Sequence, residues 1–457
     1  MSDDAQPRLF GTDGIRAPFG EHPLDRATVV ALGRELGLTI AGDASAPLVV
    51  LGGDTRDSTS TLCHWLAAGL TDAGARVDYL DTIPTPGVAW AVRALGARAG
   101  VTVSASHNPW PDNGIKLFDE AGRKWSPAAE AALERALERA LERHLAEGPR
   151  EVAEPSLPVD RRGYEAYVGF LTGLLPEPDA LAGLSVVLDT SNGATYEIAP
   201  RVFAAHGASV RQLAGAPDGR NINLHSGSTH PEALAAAVVE SGADLGIAFD
   251  GDGDRALLVD GDGEVRDGDA MLYLWARALF AEGHLDPPAI VATSMSNLGL
   301  EHALATSGID VVRCDVGDRT VMETMRAKGI RLGGEQSGHL VHAPTTSTGD
   351  GLVTALTLAH LVRRARRPLA QLLAGFRRFP QILRNVRVRE KRPFEQLPQV
   401  KAAQAAVESE LAGNGRLVLR YSGTEPLARI MLEGPELAAL ERQAAQLESA
   451  IREAVGA

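Results

Sequence analysis

The sequence predicts an α/β protein: three similar α/β domains on mixed, mainly parallel sheets, then a smaller C-terminal α+β domain. Three observations lead there. Short β-branched runs alternate with Ala/Leu-rich helical stretches over the first three quarters of the chain, the pattern of strand–helix–strand units. Those runs recur in triplets, which points to one unit used three times. Past residue 380 the rhythm changes to two longer strands around a polar turn.

The first triplet is Val49-Val50-Leu51, Ala75-Arg76-Val77 and Val101-Thr102-Val103. The second is Val186-Val187-Leu188, Ala208-Ser209-Val210 and Gly246-Ile247-Ala248-Phe249. The third is Ile290-Val291-Ala292, Asp310-Val311-Val312 and Ile330-Arg331-Leu332. Each middle run follows a glycine (Gly74, Gly207, Gly308) at which a helix can stop. Each third run leads into the most polar segment of its unit. In open parallel sheets, ligands bind beyond the carboxyl ends of the strands.

A helix is signalled over 126–144 by Ser126 as N-cap, Pro127 in the first turn, and Leu133, Leu137, Leu141 and Leu145 on one stripe. The Pro-rich stretch 149–158 reads as a linker, the Gly/Asp run 260–269 as a second break, and the basic segment 366–380 as a third. In the last part, Leu417-Val418-Leu419-Arg420 and Ala428-Arg429-Ile430-Met431 are the strands. The expected domains are 1–155, 156–258, 259–370 and 371–457; 457 residues at about 150 per domain set a prior of roughly three, with two or four admissible.

Composition narrows the function classes. Lys and Arg number 45 against 59 Asp and Glu, a formal charge of −14, which would repel a nucleic-acid backbone. The 5 Trp, 6 Tyr and 10 Phe leave little for base stacking. Nucleic acid is not an expected partner. No uncharged window approaches the length of a membrane span, and the acidic start has no apolar leader core, so no membrane association is expected and the cytoplasm is the expected compartment. Cys63 and Cys314 are too few and too far apart for a disulfide framework or a zinc site, and read as free thiols.

Four loops carry chemistry. The first is Val103-Ser104-Ala105-Ser106-His107-Asn108-Pro109, followed by Asp112-Asn113-Gly114-Ile115-Lys116. No Gly-x-Ser-x-Gly elbow surrounds Ser106, which argues against a hydrolase; a serine at a strand end can instead carry a phosphoryl group. Lys116, one of five lysines, suits an acid/base or counter-charge role. The second loop is Asp250-Gly251-Asp252-Gly253-Asp254-Arg255. Three carboxylates at i, i+2 and i+4, separated by glycines, can converge on one hard cation and would repel without it. An EF-hand fails, because Arg255 takes the sixth position and Gly261 the twelfth. Coordination room left for phosphate oxygen suits Mg²⁺.

The third loop, Gly333-Gly334-Glu335-Gln336-Ser337-Gly338-His339, holds the donors and acceptors that polyhydroxyl recognition needs. The fourth, Arg420-Tyr421-Ser422-Gly423-Thr424-Glu425-Pro426 with Arg429 beyond, reads as a phosphate cradle. Nucleotide fingerprints, Gly-x-Gly-x-x-Gly at a strand–helix junction or any Gly-Lys pair, do not occur. Together the loops allow phosphoryl transfer on a phosphorylated sugar without a nucleotide.

These residues resemble a family. Phe10-Gly11-Thr12-Asp13-Gly14-Ile15-Arg16, the first loop, Gly227-Ser228-Thr229-His230-Pro231, the second loop, Gly317-Asp318-Arg319, the third loop, Thr348-Gly349-Asp350-Gly351 and Ser422 to Pro426 follow, in order, the motifs of the α-D-phosphohexomutases, and within them of the bacterial phosphoglucosamine mutases. The resemblance implies four domains around a central cleft. It implies Ser106 as the phosphoserine, with one Mg²⁺ per chain held by its phosphate and by Asp250, Asp252 and Asp254. It implies sugar recognition by Glu335, Ser337 and His339, and a substrate-phosphate grip by Arg420, Ser422, Gly423, Thr424 and Arg429. Arg16 and His107 join the catalytic set, with Lys116 for proton transfer. Gln336 is the glucosamine-type residue; the mannose/glucose enzymes typically carry Met there. Tyr421 stands where the family usually has Pro, and Ala17-Pro18 where a Gly is usual.

The expected reaction interconverts glucosamine 6-phosphate and glucosamine 1-phosphate through a glucosamine 1,6-bisphosphate intermediate. The expected partner is a small sugar phosphate, on a monomer or homodimer. The rival within the class is a phosphomannomutase/phosphoglucomutase; the rival outside it is a non-catalytic sugar-phosphate sensor.

Overall fold

The computed structural model describes residues 9–11, 13–42, 46–147, 152–411, 413–422 and 426–456. Among them the strands form four sheets. The first contains β1 (Ile15–Pro18), β2 (Leu48–Gly53), β3 (Arg76–Thr82), β4 (Ala99–Val103) and β5 (Asp112–Asp119), in spatial order β1-β5-β4-β2-β3. The second contains β6 (Ser185–Asp189), β7 (Ser209–Leu213), β8 (Leu245–Phe249), β9 (Ala256–Asp260) and β10 (Val265–Arg266), in order β10-β9-β8-β6-β7. The third contains β11 (Ala289–Thr293), β12 (Asp310–Cys314), β13 (Leu332–Gly334) and β14 (Leu340–His342), in order β12-β11-β13-β14.

One ladder is therefore built three times. A first strand pairs in parallel with the third of its triplet (β2 with β4, β6 with β8, β11 with β13), and the third then pairs antiparallel with the strand that returns from its loop. The sheets are mixed for that reason. Every residue of β4, β8 and β11 is buried, which explains their continuous apolar runs: helices cover both faces. The three turn glycines all adopt positive φ (Gly74 86°, Gly207 84°, Gly308 73°), where a Cβ would be strained, so each releases the chain from a helix into an edge strand. Pro18 sits on β1, an edge strand, where a missing N–H is tolerated.

Several details differ from expectation. The helix Pro127–Glu147 starts as foreseen, with Ser126 Oγ accepting from the Ala129 N–H at 3.2 Å. Its stripe buries Leu133 and Leu137 and half-buries Leu141 against the same core, but Leu145 is 85% exposed. The last run of the third triplet begins at Leu332, two residues later than read. The Gly/Asp run 260–269 opens with a hairpin, β9 turning back through β10, and ends at the start of helix Gly268–Ala281. Buried Asp260 accepts from the N–H groups of Asp262 and Glu264 and pairs with Arg266, tying β10 to β9. The expected boundary at 258/259 thus falls inside β9. Of the linker read at 149–158, residues 149–151 lie outside the described residues.

The chain divides into two compact units, residues 1–295 with 311–373, and residues 296–310 with 374–457. The first carries the three repeated sheets. The second carries a sheet of β15 (Gln381–Arg387), β16 (Arg416–Tyr421) and β17 (Leu427–Glu433), in order β15-β17-β16, covered by helices Pro398–Leu411 and Leu437–Val455. Helix Leu298–Ala305, which follows β11 in sequence, belongs to the second unit: Leu298 N–H donates to the buried Glu433 carboxylate at 2.8 Å, and Asn297 Nδ2 to Phe379 O at 2.9 Å.

Candidate active site

The loop after β4 and the loop after β8 meet within the first unit. Ser106 is buried and left-handed, with φ of 52°. Its N–H donates to Ser104 Oγ at 3.0 Å, and Ser104 Oγ donates to Asp54 at 2.5 Å. Ser106 Oγ then donates to Asp250 Oδ2 at 2.6 Å. The serine hydroxyl therefore points at the first carboxylate of the Asp250, Asp252, Asp254 set.

Those three carboxylates are buried and offer oxygens that all lie within 4.8 Å of one another. Burial, together with the Asp254 and Asp252 charges, pushes the Asp250 carboxyl well above the usual range. Burial acts the same way on Asp252, but the Lys116 ammonium and the bonds from Lys116 (2.9 Å) and Thr85 (2.7 Å) outweigh it and hold that carboxyl below its ordinary value. Asp252 Oδ1 and Asp254 Oδ1 are buried and accept no hydrogen bond among the described residues. Clustered carboxylates with orphaned oxygens fit a hard divalent cation, which would supply the missing partner.

Lys116 is fully buried beside Asp13 (3.1 Å), Asp252 (2.9 Å) and Asp254 (3.4 Å). Burial would lower its pKa, yet the three carboxylates raise it well above the usual lysine value. It is held as an ammonium that bridges the first and second repeats. Arg16 bonds Asp13 at 2.6 Å, and Lys124 links Asp13 to Asp318 of the third repeat. His107 lies 3.5 Å from Ser106 Oγ and takes a bond from Arg255 at 2.9 Å through Nδ1. Burial, then the Arg255 charge, lowers its pKa, so the ring is neutral near pH 7.

The third loop turns between β13 and β14, closed by Glu335 N–H to His339 O (3.0 Å) and Gly338 N–H to Glu335 O (3.0 Å). Ser337 is exposed and Glu335 half-buried, whereas His339 is buried, with its ring against Gly349. Gln336 Nε2 donates to Asp267 at 3.1 Å, so this side chain also secures the start of helix Gly268–Ala281. The geometry brings Ser106, His107, Lys116, Arg16 and the three aspartates together; of the third loop it presents Glu335 and Ser337.

In the second unit, Arg420 and Arg429 are direct cross-strand partners on β16 and β17. Ser422 is buried, with its carbonyl accepting from Lys391 at 2.6 Å. Tyr421 stacks on Phe394 (4.2 Å between ring centres) and donates to Arg392 O, which explains an aromatic at that position. Gly423 and Thr424 lie outside the described residues.

Sequence reading missed Asp54, Arg56, Thr85 and Asn223, all buried around the serine and carboxylate loops. Asp54 follows β2 directly, at the carboxyl end of a strand, which was the available signal.

A serine aimed into a carboxylate cluster, on an α/β unit repeated three times and followed by an α+β domain, defines a phosphoryl-transfer enzyme of the mutase type. The chain belongs to the phosphoglucomutase/phosphomannomutase family and is an isomerase: the family's α/β/α domain I matches residues 7–144, domain II 165–263, domain III 267–379, and the C-terminal domain 383–450. It is 44% identical to a phosphoglucosamine mutase of Solibacter usitatus, over 98% of this chain and 99% of the relative. It is 45% identical to another from Alkalilimnicola ehrlichii, over 97% of each chain. A phosphoglucomutase/phosphomannomutase family protein from Burkholderia thailandensis shares the fold with a TM-score of 0.76 at 25% identity, covering 98% of each chain. No described helix is long and apolar enough to cross a membrane.

Proposed function

We propose that the protein interconverts glucosamine 6-phosphate and glucosamine 1-phosphate with phospho-Ser106 as the carrier. The observation that carries this reading is the 2.6 Å bond from Ser106 Oγ to Asp250 inside the carboxylate cluster. In the forward step the P–Oγ bond of phospho-Ser106 breaks as a P–O bond forms to the sugar's free hydroxyl. That hydroxyl loses its proton, and Ser106 Oγ ends protonated. The product is glucosamine 1,6-bisphosphate, whose other phosphoryl group returns to Ser106 by the reverse chemistry.

One Mg²⁺ per chain, held by Asp250, Asp252 and Asp254 with the Ser106 phosphate, would neutralise phosphoryl charge. Lys116 holds a proton within reach of the same space, and Arg16, His107 and Arg255 add donors for phosphoryl oxygens. Glu335 and Ser337 present groups for sugar hydroxyls, with His339 behind them. Arg420, Ser422, Gly423, Thr424 and Arg429 grip the non-reacting phosphate. The glucosamine preference is supported by Gln336 and by relatives at 41–45% identity that are phosphoglucosamine mutases. The four segments act as four domains of a cytoplasmic enzyme.

Coupled assays with glucosamine, glucose and mannose phosphates test the substrate. A kcat/KM preference for glucosamine phosphates is expected; an equal or reversed preference would transfer the chain to the mannose/glucose branch.

A further inference from the structure

The carbonyl oxygens of Ser106 and Asn108 are held by the same two side chains. Asn223 Nδ2 donates to Ser106 O at 2.9 Å and to Asn108 O at 3.0 Å. Arg56 Nη2 reaches the same oxygens at 3.4 and 2.6 Å. Arg56 follows β2 of the first repeat, while Asn223 lies between β7 and β8 of the second. Both are buried, so these bonds are shielded from competing water.

Each side chain is itself anchored. Arg56 pairs with Asp54, which also accepts from Ser104. Asn223 donates its N–H to Ser191 O at 2.8 Å and sits at a φ of 59°. The carboxylate loop runs directly against this clamp: a Cβ on Gly251 would lie 2.5 Å from Ser106 O and 2.8 Å from Asn223 Nδ2. Ser106 at φ 52° is a conformation that a non-glycine residue keeps only where its surroundings over-determine it. The bonds from Asn223 and Arg56 to its carbonyl are among the contacts that fix this conformation.

We infer that Asn223, acting with Arg56, is a positioning residue for phosphoryl transfer. It holds the Ser106 backbone in the conformation that aims Oγ at the carboxylate cluster, and it touches neither Oγ nor the carboxylate oxygens. This rests on the reading of Ser106 as the carrier.

Asn223→Asp and Asn223→Gly test it in the full chain with Mg²⁺. Aspartate keeps the shape but turns an acceptor toward two carbonyl oxygens; glycine accepts the positive φ and removes only the amide. Intact mass follows, in a single turnover, the discharge of phospho-Ser106 to glucosamine 6-phosphate, and steady-state assays give kcat and KM. Discharge rate and kcat should fall together by about 10²-fold, the scale of a misplaced reacting group, with KM and half-saturating Mg²⁺ within about twofold of wild type. Wild-type discharge in both variants overturns the inference, as does activity loss that matches loss of folded protein by circular dichroism in both. If aspartate alone misfolds, glycine decides. A wild type that never carries phosphate on Ser106 overturns the carrier reading and this inference together; a charged wild type with unaffected variants overturns this inference alone.

Discussion

The loops after β4 and β8 and the loop after β13 stand at equivalent places in three copies of one ladder, yet they are held differently. In the first two copies the loops interlock, and Ser106, Asp250 and Asp252 are at most 1% exposed. In the third, Ser337 faces solvent and Glu335 is half-buried. The first strand of each copy explains part of the contrast. It ends in the same turn each time: Asp54, Asp189 and Thr293 accept from the N–H two residues on, at Arg56, Ser191 and Met295. An aspartate has a second oxygen to spend. Asp54 spends it on Ser104, and Asp189 on the Gly227 N–H at 2.8 Å. The threonine of the third copy offers its turn one hydroxyl at 3.4 Å and has no second carboxylate oxygen with which to tie a neighbouring loop. A repeated scaffold thus buries Ser106 and the aspartates in two copies and leaves Glu335 and Ser337 reachable in the third.

The largest expected effect that sharpens this contrast is on the reacting side. Ser106→Ala should lower kcat by at least about 10³-fold in a coupled assay, because the carrier atom is gone, while the thermal midpoint stays near wild type. Next comes Lys116→Met, which takes the ammonium from Asp252 and Asp254 and leaves Asp13 with Arg16 and Lys124 alone. Breaking a buried pair this way should cost about 3–5 kcal/mol, read by chemical denaturation. Wild-type stability in that variant would show that the interlocked loops do not depend on the ammonium.

In the third copy, burial first, then the Arg331 and His284 charges, pushes the His342 pKa down to about 4. The folded value lies below the unfolded one of about 6.5, so the unfolded state binds the extra proton between them. His342 therefore contributes stability that is complete above about pH 6.5 and is lost as the pH falls toward about 4. The side chain is only partly buried, so about 1–2 kcal/mol is at stake. His342→Gln, able to keep a bond to Thr345, should flatten the fall in thermal midpoint between about pH 7.5 and about pH 5; an unchanged slope would remove His342 from the account. The smallest effect is expected at the exposed loop tip. Ser337→Ala should raise KM a few-fold, with the thermal midpoint and Ser106 phosphorylation unchanged; an effect as large as that of Lys116→Met would erase the distinction between buried and reachable loops.

Much of this was legible in the sequence, and the rest was not for identifiable reasons. Asp250, Asp252 and Asp254 announce themselves because three carboxylates and two glycines have few other uses at that spacing. The triplets were visible because β4, β8 and β11 are covered on both faces and read as apolar runs. Arg56, Thr85 and Asn223 were not visible: Arg56 and Asn223 are single polar residues in loops, Thr85 opens the helix Thr85–Leu95, and the partners of Thr85 and Asn223 lie 167 and 117 positions away. The end of β9 was not legible at 258/259, because the glycines and aspartates after it serve the tight turn that brings β10 back onto β9 before helix Gly268–Ala281 begins. His339 carries no signal that its ring is buried, since its neighbours Ser337 and Glu335 are the accessible ones.

The central claim is that Ser106 carries the phosphoryl group between the two ends of the sugar. The most direct test is intact and peptide mass of the full chain after incubation with glucosamine 1,6-bisphosphate and Mg²⁺, then after addition of glucosamine 6-phosphate. The expected result is one added phosphoryl group, located at Ser106, absent from Ser106→Ala and discharged by the sugar phosphate. An active enzyme that gains no phosphoryl group, or gains it on another residue, would contradict the account.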